Sequence, residues 1–186
     1  MKKRQSNLLE TSQAGSDSEE FEYLFGEYWA CVYRILKRLV GDPAEAEDLA
    51  LETFLRLYQR SPFKEDGFQT GGWLYRVATN LGLKSIRSYK RRERYEIEAG
   101  RFALEESPET RPAVLHEQAE RQDLARQALA SMNERNAQLL TLRYSGLSYK
   151  EIAGILGLSP TSIGPLLVRA EREFEVCYRA LAQEEA

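Results

Sequence analysis

Residues 147–160 read Leu147-Ser148-Tyr149-Lys150-Glu151-Ile152-Ala153-Gly154-Ile155-Leu156-Gly157-Leu158-Ser159-Pro160. The pattern is that of two helices meeting at a tight turn. Ser148 with Glu151 three residues later is a capping box, each side chain satisfying a backbone N–H that the first turn leaves open. Ile152, Ala153 and Leu156 share one face, and the small Ala153 lets a second helix cross closely. Gly157 suits the left-handed residue at a helix end. Leu158 then returns apolar surface to the core, and Ser159-Pro160 opens the next helix. A helix–turn–helix sends that second helix into the major groove of DNA. An αα-corner without DNA has the same outline.

The same reading extends outward in both directions. After Pro160, Ile163, Leu167, Ala170, Phe174, Cys177 and Leu181 form one apolar stripe at helical spacing. Before Leu147, Gly146 stands past a helix end, and Ser131 with Glu134 reads as a second capping box. Leu124, Ala128 and Leu129 belong to the helix before that. Residues 95–120 are charged, carry Pro108 and Pro112, and read as linker. Toward the N-terminus, Phe21, Leu24, Phe25, Tyr28, Val32, Ile35, Leu36 and Leu39 mark a strong helix that Gly41 ends. Asp42-Pro43 with Glu45 restarts a helix to about Arg60. Residues 61–70 form a loop with Phe63 and Phe68, and a third helix carries Trp73, Leu74, Val77, Ala78, Leu81 and Ile86. Residues 1–20 are polar and read as a disordered arm. Nothing alternates as a strand does. The expectation is an all-α chain of two small helical domains, 21–94 and 121–183, joined by a flexible linker, with the helix–turn–helix in the second.

Composition narrows the function classes. The chain has 186 residues, 42% of them apolar, and a net charge of −3, so no global basicity advertises nucleic acid. Its two cysteines, Cys31 and Cys177, are far apart, and His116 is its single histidine. That is too few ligands for a structural zinc site, and the cysteines read as core thiols. There is no phosphate-binding glycine loop and no nucleophile–base–acid set, so the chain reads as a non-enzyme without metal or cofactor. No stretch resembles a signal peptide or is long enough to span a bilayer, which points to a cytoplasmic protein without membrane contact.

Charge is distributed unevenly. Arg76, Asn80, Lys84, Arg87 and Arg91 recur every three or four residues, so they share one helix face, and Lys90, Arg92 and Arg94 thicken its end. Phe63, Phe68, Trp73, Tyr75 and Tyr89 lie nearby. Cations interleaved with aromatics suit unpaired nucleic acid, whose bases stack on rings while phosphates meet Lys and Arg; a solvated surface face has the same spacing. The helix from Pro43 is apolar nearly all round, with a narrow stripe at Glu45, Asp48, Glu52, Arg56 and Gln59. Such a helix is buried by its own domain or by a partner.

Three ordered stretches resemble the extracytoplasmic-function group of bacterial RNA polymerase sigma factors. Residues 41–54, from Gly41-Asp42-Pro43 to Glu52-Thr53-Phe54, are similar to the group's polymerase-binding helix. Gly72-Trp73-Leu74-Tyr75-Arg76-Val77-Ala78-Thr79-Asn80-Leu81 resembles its promoter-melting helix. Leu142-Arg143-Tyr144 and Gly146–Ala153 resemble its C-terminal domain. The resemblance implies a sigma factor that guides core RNA polymerase to promoters. It places Asp48, Glu52 and Phe54 against the clamp helices of the largest subunit. It makes the loop with Phe63 and Phe68, backed by Asn80, the pocket for a flipped base of the minus-ten element, with Lys84, Arg87 and Arg91 holding phosphates and Arg76 on the same DNA-binding face. It assigns Arg143, Lys150, Thr161, Ser162, Arg169 and Arg172 to minus-thirty-five DNA, and the same domain to the flap of the second-largest subunit. An anti-sigma factor is a further partner the resemblance admits. The chain departs from the group at Leu51, where Gln is common, and at Lys84, where Asp is common. Its Gly164-Pro165-Leu166 replaces a Lys-Ser-Arg-type run, and Val168 replaces a His. With those cations missing, a DNA-binding regulator or a sigma-like adaptor that opens no promoter is the second reading. Pro165 either kinks the last helix or sits in its first turn with Ser162 as N-cap.

Overall fold

The computed structural model describes residues 2–60, 68–98 and 113–184. Those residues form seven helices and no strand: α1 (Lys2–Val40), α2 (Pro43–Arg60), α3 (Thr70–Glu98), α4 (Ala113–Ser131), α5 (Glu134–Tyr144), α6 (Tyr149–Leu156) and α7 (Pro160–Glu184). The all-α expectation in two helical units holds. Its boundaries shift where composition was the guide. Helix α1 already runs from Lys2, through the stretch read as an arm. That stretch has no proline, and Leu, Glu, Gln and Lys keep good helix propensity even without an apolar face. Likewise α3 continues to Glu98 and α4 begins at Ala113, directly after Pro112, so helix occupies both ends of the expected linker.

In the N-terminal unit α1 packs on α2 and α3. Val32, Ile35, Leu36 and Leu39 are fully buried against Ala46, Ala50, Leu57, Leu74, Ala78 and Leu83. The other end of this core is aromatic. Phe54 is buried among Phe25, Phe21 and Trp29, with ring centroids 4.7, 6.4 and 5.9 Å away. The break between α1 and α2 follows from local chemistry. Gly41 takes φ +81, and Glu45 N–H donates to Asp42 Oδ1 at 2.7 Å, making Asp42 the N-cap. The Glu45 carboxylate instead accepts from the Ser85 hydroxyl, which ties α2 to α3 rather than closing a capping box.

In the C-terminal unit α7 packs across α4, α5 and α6. The expected capping box at Ser131 and Glu134 is not the one used. Asn133 is the N-cap of α5, its side chain accepting from Arg135 N–H, while Ser131 closes α4 and returns its hydroxyl to the Gln127 carbonyl. Two cap-forming residues compete here, and the connection is only Met132 and Asn133, so Ser131 stays in the last turn of α4 and Asn133 takes the cap. The box at Ser148 and Glu151 forms as expected. Gly157 ends α6 at φ +66, and Leu158 N–H reaches back to the Ala153 carbonyl at 2.8 Å, setting the turn of the helix–turn–helix. Helix α7 then runs continuously through Pro165. Ser162 lies inside its first turn and donates to the Ser159 carbonyl at 2.7 Å, so it is not the N-cap.

Removing the ring that anchors the aromatic end of the core, Phe54→Ala, should cost about 3–5 kcal/mol in urea unfolding, as for other large-to-small core changes. Hydrogen bonds from the Ser148 hydroxyl and backbone N–H hold the Glu151 carboxyl below its ordinary pKa. A carboxyl depressed by folding adds stability above its unfolded pKa and loses it as pH falls through the folded value. Glu151→Gln should therefore be less stable than the parent at neutral pH, and the gap should close on acidification.

Candidate nucleic-acid interface

Helix α3 holds the predicted cation face. Arg76, Asn80, Lys84 and Arg91 are exposed along it, and Arg87 is half-buried. The burial of Arg87 comes from the C-terminal unit. Its guanidinium donates to the carbonyls of Ala130 and Met132 at 3.4 and 3.3 Å, and lies 3.7 Å from the Glu134 carboxylate. A cation placed on the last carbonyls of α4 meets the negative end of that helix. Two neighbours repeat the contact. Lys90 Nζ donates to the Ser131 hydroxyl at 2.7 Å, and Gln138 Nε2 donates to Asn80 Oδ1 at 2.8 Å. At the α1–α2 turn, Arg126 of α4 sits over Gly41, where an added Cβ would lie 2.5 Å from its guanidinium nitrogen. The predicted minus-ten face is thus partly covered by α4 and α5.

At the other end of α3 the two predicted DNA-binding sets meet. Phe68 lies 6.3 Å from Trp73, ring to ring. Both line a cleft of about 960 Å³ with Tyr28, Arg76, Lys150 and Ile155, so a residue assigned to upstream DNA shares a groove with residues assigned to the melted strand. Phe63 lies outside the described residues. Tyr75 is tucked beside Cys31; burial first, then the neighbouring thiol, raises its pKa and keeps the phenol neutral. Both cysteines are free and half-buried.

Helix α2 requires one correction. Asp48 is exposed and Glu52 half-exposed, the latter paired to Arg56 at 2.5 Å, as a contact face needs. Phe54 is 1% exposed and belongs to the core, so it is not part of the outward face of α2. Its ring fills the space between α1 and α2, which no outward-facing position could do. Sequence reasoning passed over the apolar residues that do face out: Leu51, Leu55 and Tyr58 are 48%, 52% and 58% exposed. Their spacing of four and three residues was the available signal. Together with Asp48 and Glu52 they form an acidic, apolar surface.

On the helix–turn–helix, Lys150, Thr161, Arg169 and Arg172 are exposed and Ser162 is half-buried. Arg143 is also exposed and lies over the Tyr149 ring at 5.3 Å. Among the described residues no group of three or more His, Cys, Asp or Glu could hold a metal ion, and no single helix is long and apolar enough to cross a membrane.

Residues 24–92 match the family Sigma-70 region 2, and residues 122–174 match Sigma-70, region 4. The chain is 35% identical over 175 residues to the ECF RNA polymerase sigma factor BldN of Streptomyces coelicolor, covering 91% of this chain and 64% of that protein. It therefore spans less than two thirds of that relative's length. It is 29% identical over 188 residues to the RNA polymerase sigma-H factor of Pseudomonas aeruginosa, covering 95% of each. The sigma factor RpoE, solved with the anti-sigma factor NepR from Bartonella quintana, has a TM-score of 0.51 and 19% identity over 87% of this chain and 98% of that one, a likeness of fold.

The contact between α3 and the second unit can be loosened selectively. Glu134→Ala with Gln138→Ala should speed amide exchange along the second unit's face on α3 and leave α2 unchanged, as read by deuterium uptake.

Proposed function

The chain belongs to the extracytoplasmic-function group of sigma factors, and on that premise we propose that it binds core RNA polymerase, directs it to promoters and helps open them. The observation that carries this is the pairing of two unlike faces in one small unit: the acidic and apolar surface of α2 (Asp48, Leu51, Glu52, Leu55) and the cation face of α3. The first suits a basic, partly apolar protein partner, here the clamp helices of the largest polymerase subunit. The second suits a melted minus-ten strand. Base–aromatic stacking contributes about 1–3 kcal/mol per base, and Phe68 and Trp73 lie at the entrance of the α3 face. Lys84 and Arg91 stand ready for phosphates. The helix–turn–helix takes the minus-thirty-five duplex and the flap of the second-largest subunit. This is specificity work in the cytoplasm, without catalysis by the chain itself.

Promoter binding on this reading requires the second unit to leave α3, because Asn80 and Arg87 are engaged by it. The covalent limit allows such a separation: any fourteen-residue connection, the number between Glu98 and Ala113, spans at most about 45–50 Å. Two modest sites on one tether then gain from effective concentration once polymerase holds both. A partner that binds both units while they are together would keep the factor inactive, and an anti-sigma factor fits that role.

Purified chain with bacterial core polymerase should give transcripts from defined starts and permanganate-reactive thymines at the opened site. No association at micromolar protein would overturn the reading, and association without melted thymines would leave an adaptor that opens nothing. Replacing Lys84 and Arg91 with Ala should slow open-complex formation and reduce its salt slope by about 0.7 per lost phosphate contact.

A further inference from the structure

Helix α7 buries Ile163, Leu167 and Ala170. Its opposite face carries Thr161, Pro165, Val168 and Arg172, all exposed. These are four, three and four residues apart, so they form one stripe along the helix. Val168 is 48% exposed, a branched apolar side chain on the outer face of a recognition helix. Pro165 has no N–H and presents only ring methylenes. The Thr161 hydroxyl is paired with that of Ser159 at 2.8 Å. From Thr161 to Val168 the stripe holds no amide and no cation; Arg172 is its first charge, with Arg169 beside it. The contact that covers α3 leaves this stripe open.

Major-groove edges of guanine, adenine and cytosine are distinguished by hydrogen-bond donors and acceptors, which a Pro–Val surface cannot answer. The C5-methyl of thymine is the one edge feature read by apolar contact. Arg143 lines the same cleft as Val168, with Glu171 also on its wall, and Arg169 and Arg172 follow along the helix; these cations can hold phosphates at the margins of the stripe.

We propose that this recognition helix reads duplex DNA through pyrimidine C5-methyl groups, with Val168 and Pro165 as its specificity-determining residues. The inference rests on the promoter-binding reading of the second unit. It turns the loss of cations at 164–166 from a defect into a different code: register from flanking phosphate contacts, and identity from methyl contacts. The exclusion of other bases comes from polar edges left facing carbon.

The test uses the full chain with bacterial core polymerase and a pool of promoter duplexes randomised over the upstream element. The selected promoter is then resynthesised with deoxyuridine in place of each upstream thymidine, which removes only the methyl. Initiation should fall about fourfold at one or two positions, the value of one buried CH₂ group. Val168→Ala should weaken the thymidine promoter and bring the thymidine-to-deoxyuridine ratio close to one at the position Val168 reads. Placing 5-methylcytosine for cytosine at that position should raise initiation in the parent and not in the variant. Equal initiation from thymidine and deoxyuridine at every upstream position, with transcripts still starting normally, would overturn methyl reading and leave the promoter reading standing. Failure of the parent to initiate at all would remove both.

Discussion

Helix α3 is packed on two sides at once. One side lies on α1 and α2 and completes the N-terminal core. Its cationic side receives α4, α5 and α6, through Arg87 on the last carbonyls of α4 and through the Asn80–Gln138 pair. The second contact combines hydrogen bonds at a half-exposed edge with the packing of Ile155 at Gly72, whereas the first buries Leu74, Ala78 and Leu83 completely. Desolvated apolar packing is cooperative and hard to open, while hydrogen bonds at a wet interface exchange with water at small net cost. The two sides of α3 thus differ in how readily they part, and that difference lets one helix serve as both core element and candidate binding face.

On the proposed reading, the same contact shapes what the chain does before it meets polymerase. Arg87 and Asn80 are occupied by groups that imitate what nucleic acid would offer: carbonyl and carboxylate oxygens for the guanidinium, an amide for an amide. A chain with net charge −3 does not attract DNA over its whole surface. Its positive charge is concentrated on α3, and part of that set is shielded in the closed arrangement. The acidic and apolar face of α2 stays open, so the protein partner is the surface encountered first. Binding to polymerase then supplies the frame within which two weak nucleic-acid sites add up.

The distribution of side chains on α7 belongs to the same economy of charge. On the proposed methyl reading, with Pro165 and Val168 outward and cations at the margins, the helix would depend on phosphates for position and on a few carbon contacts for identity. This separates the two contributions more fully than a helix whose arginines do both.

Much of this was legible in the order of residues. The capping box at Ser148 and Glu151, the left-handed Gly157, the core stripe of α7 and the N-cap at Asp42 depend on neighbours within a few positions, so local spacing reports them. The cation stripe of α3 follows from helical periodicity alone. Other features turn on distances between segments far apart in the chain. Whether Phe54 faced a partner or the core depended on Phe21, Phe25 and Trp29 of α1 arriving on its side of α2, and the exposure of Leu51 and Leu55 is the other half of that result. Asn133 displaced Ser131 as a cap because Ser131 was needed at the end of α4, against Lys90. The sequence by itself determined the all-helical class, the caps at Asp42, Ser148 and Gly157 and the chemistry each face carries, because those are set within a turn or two. Only the tertiary structure decided which faces are free, since exposure is a property of what packs on top, and for α3 the covering residues lie more than forty positions away.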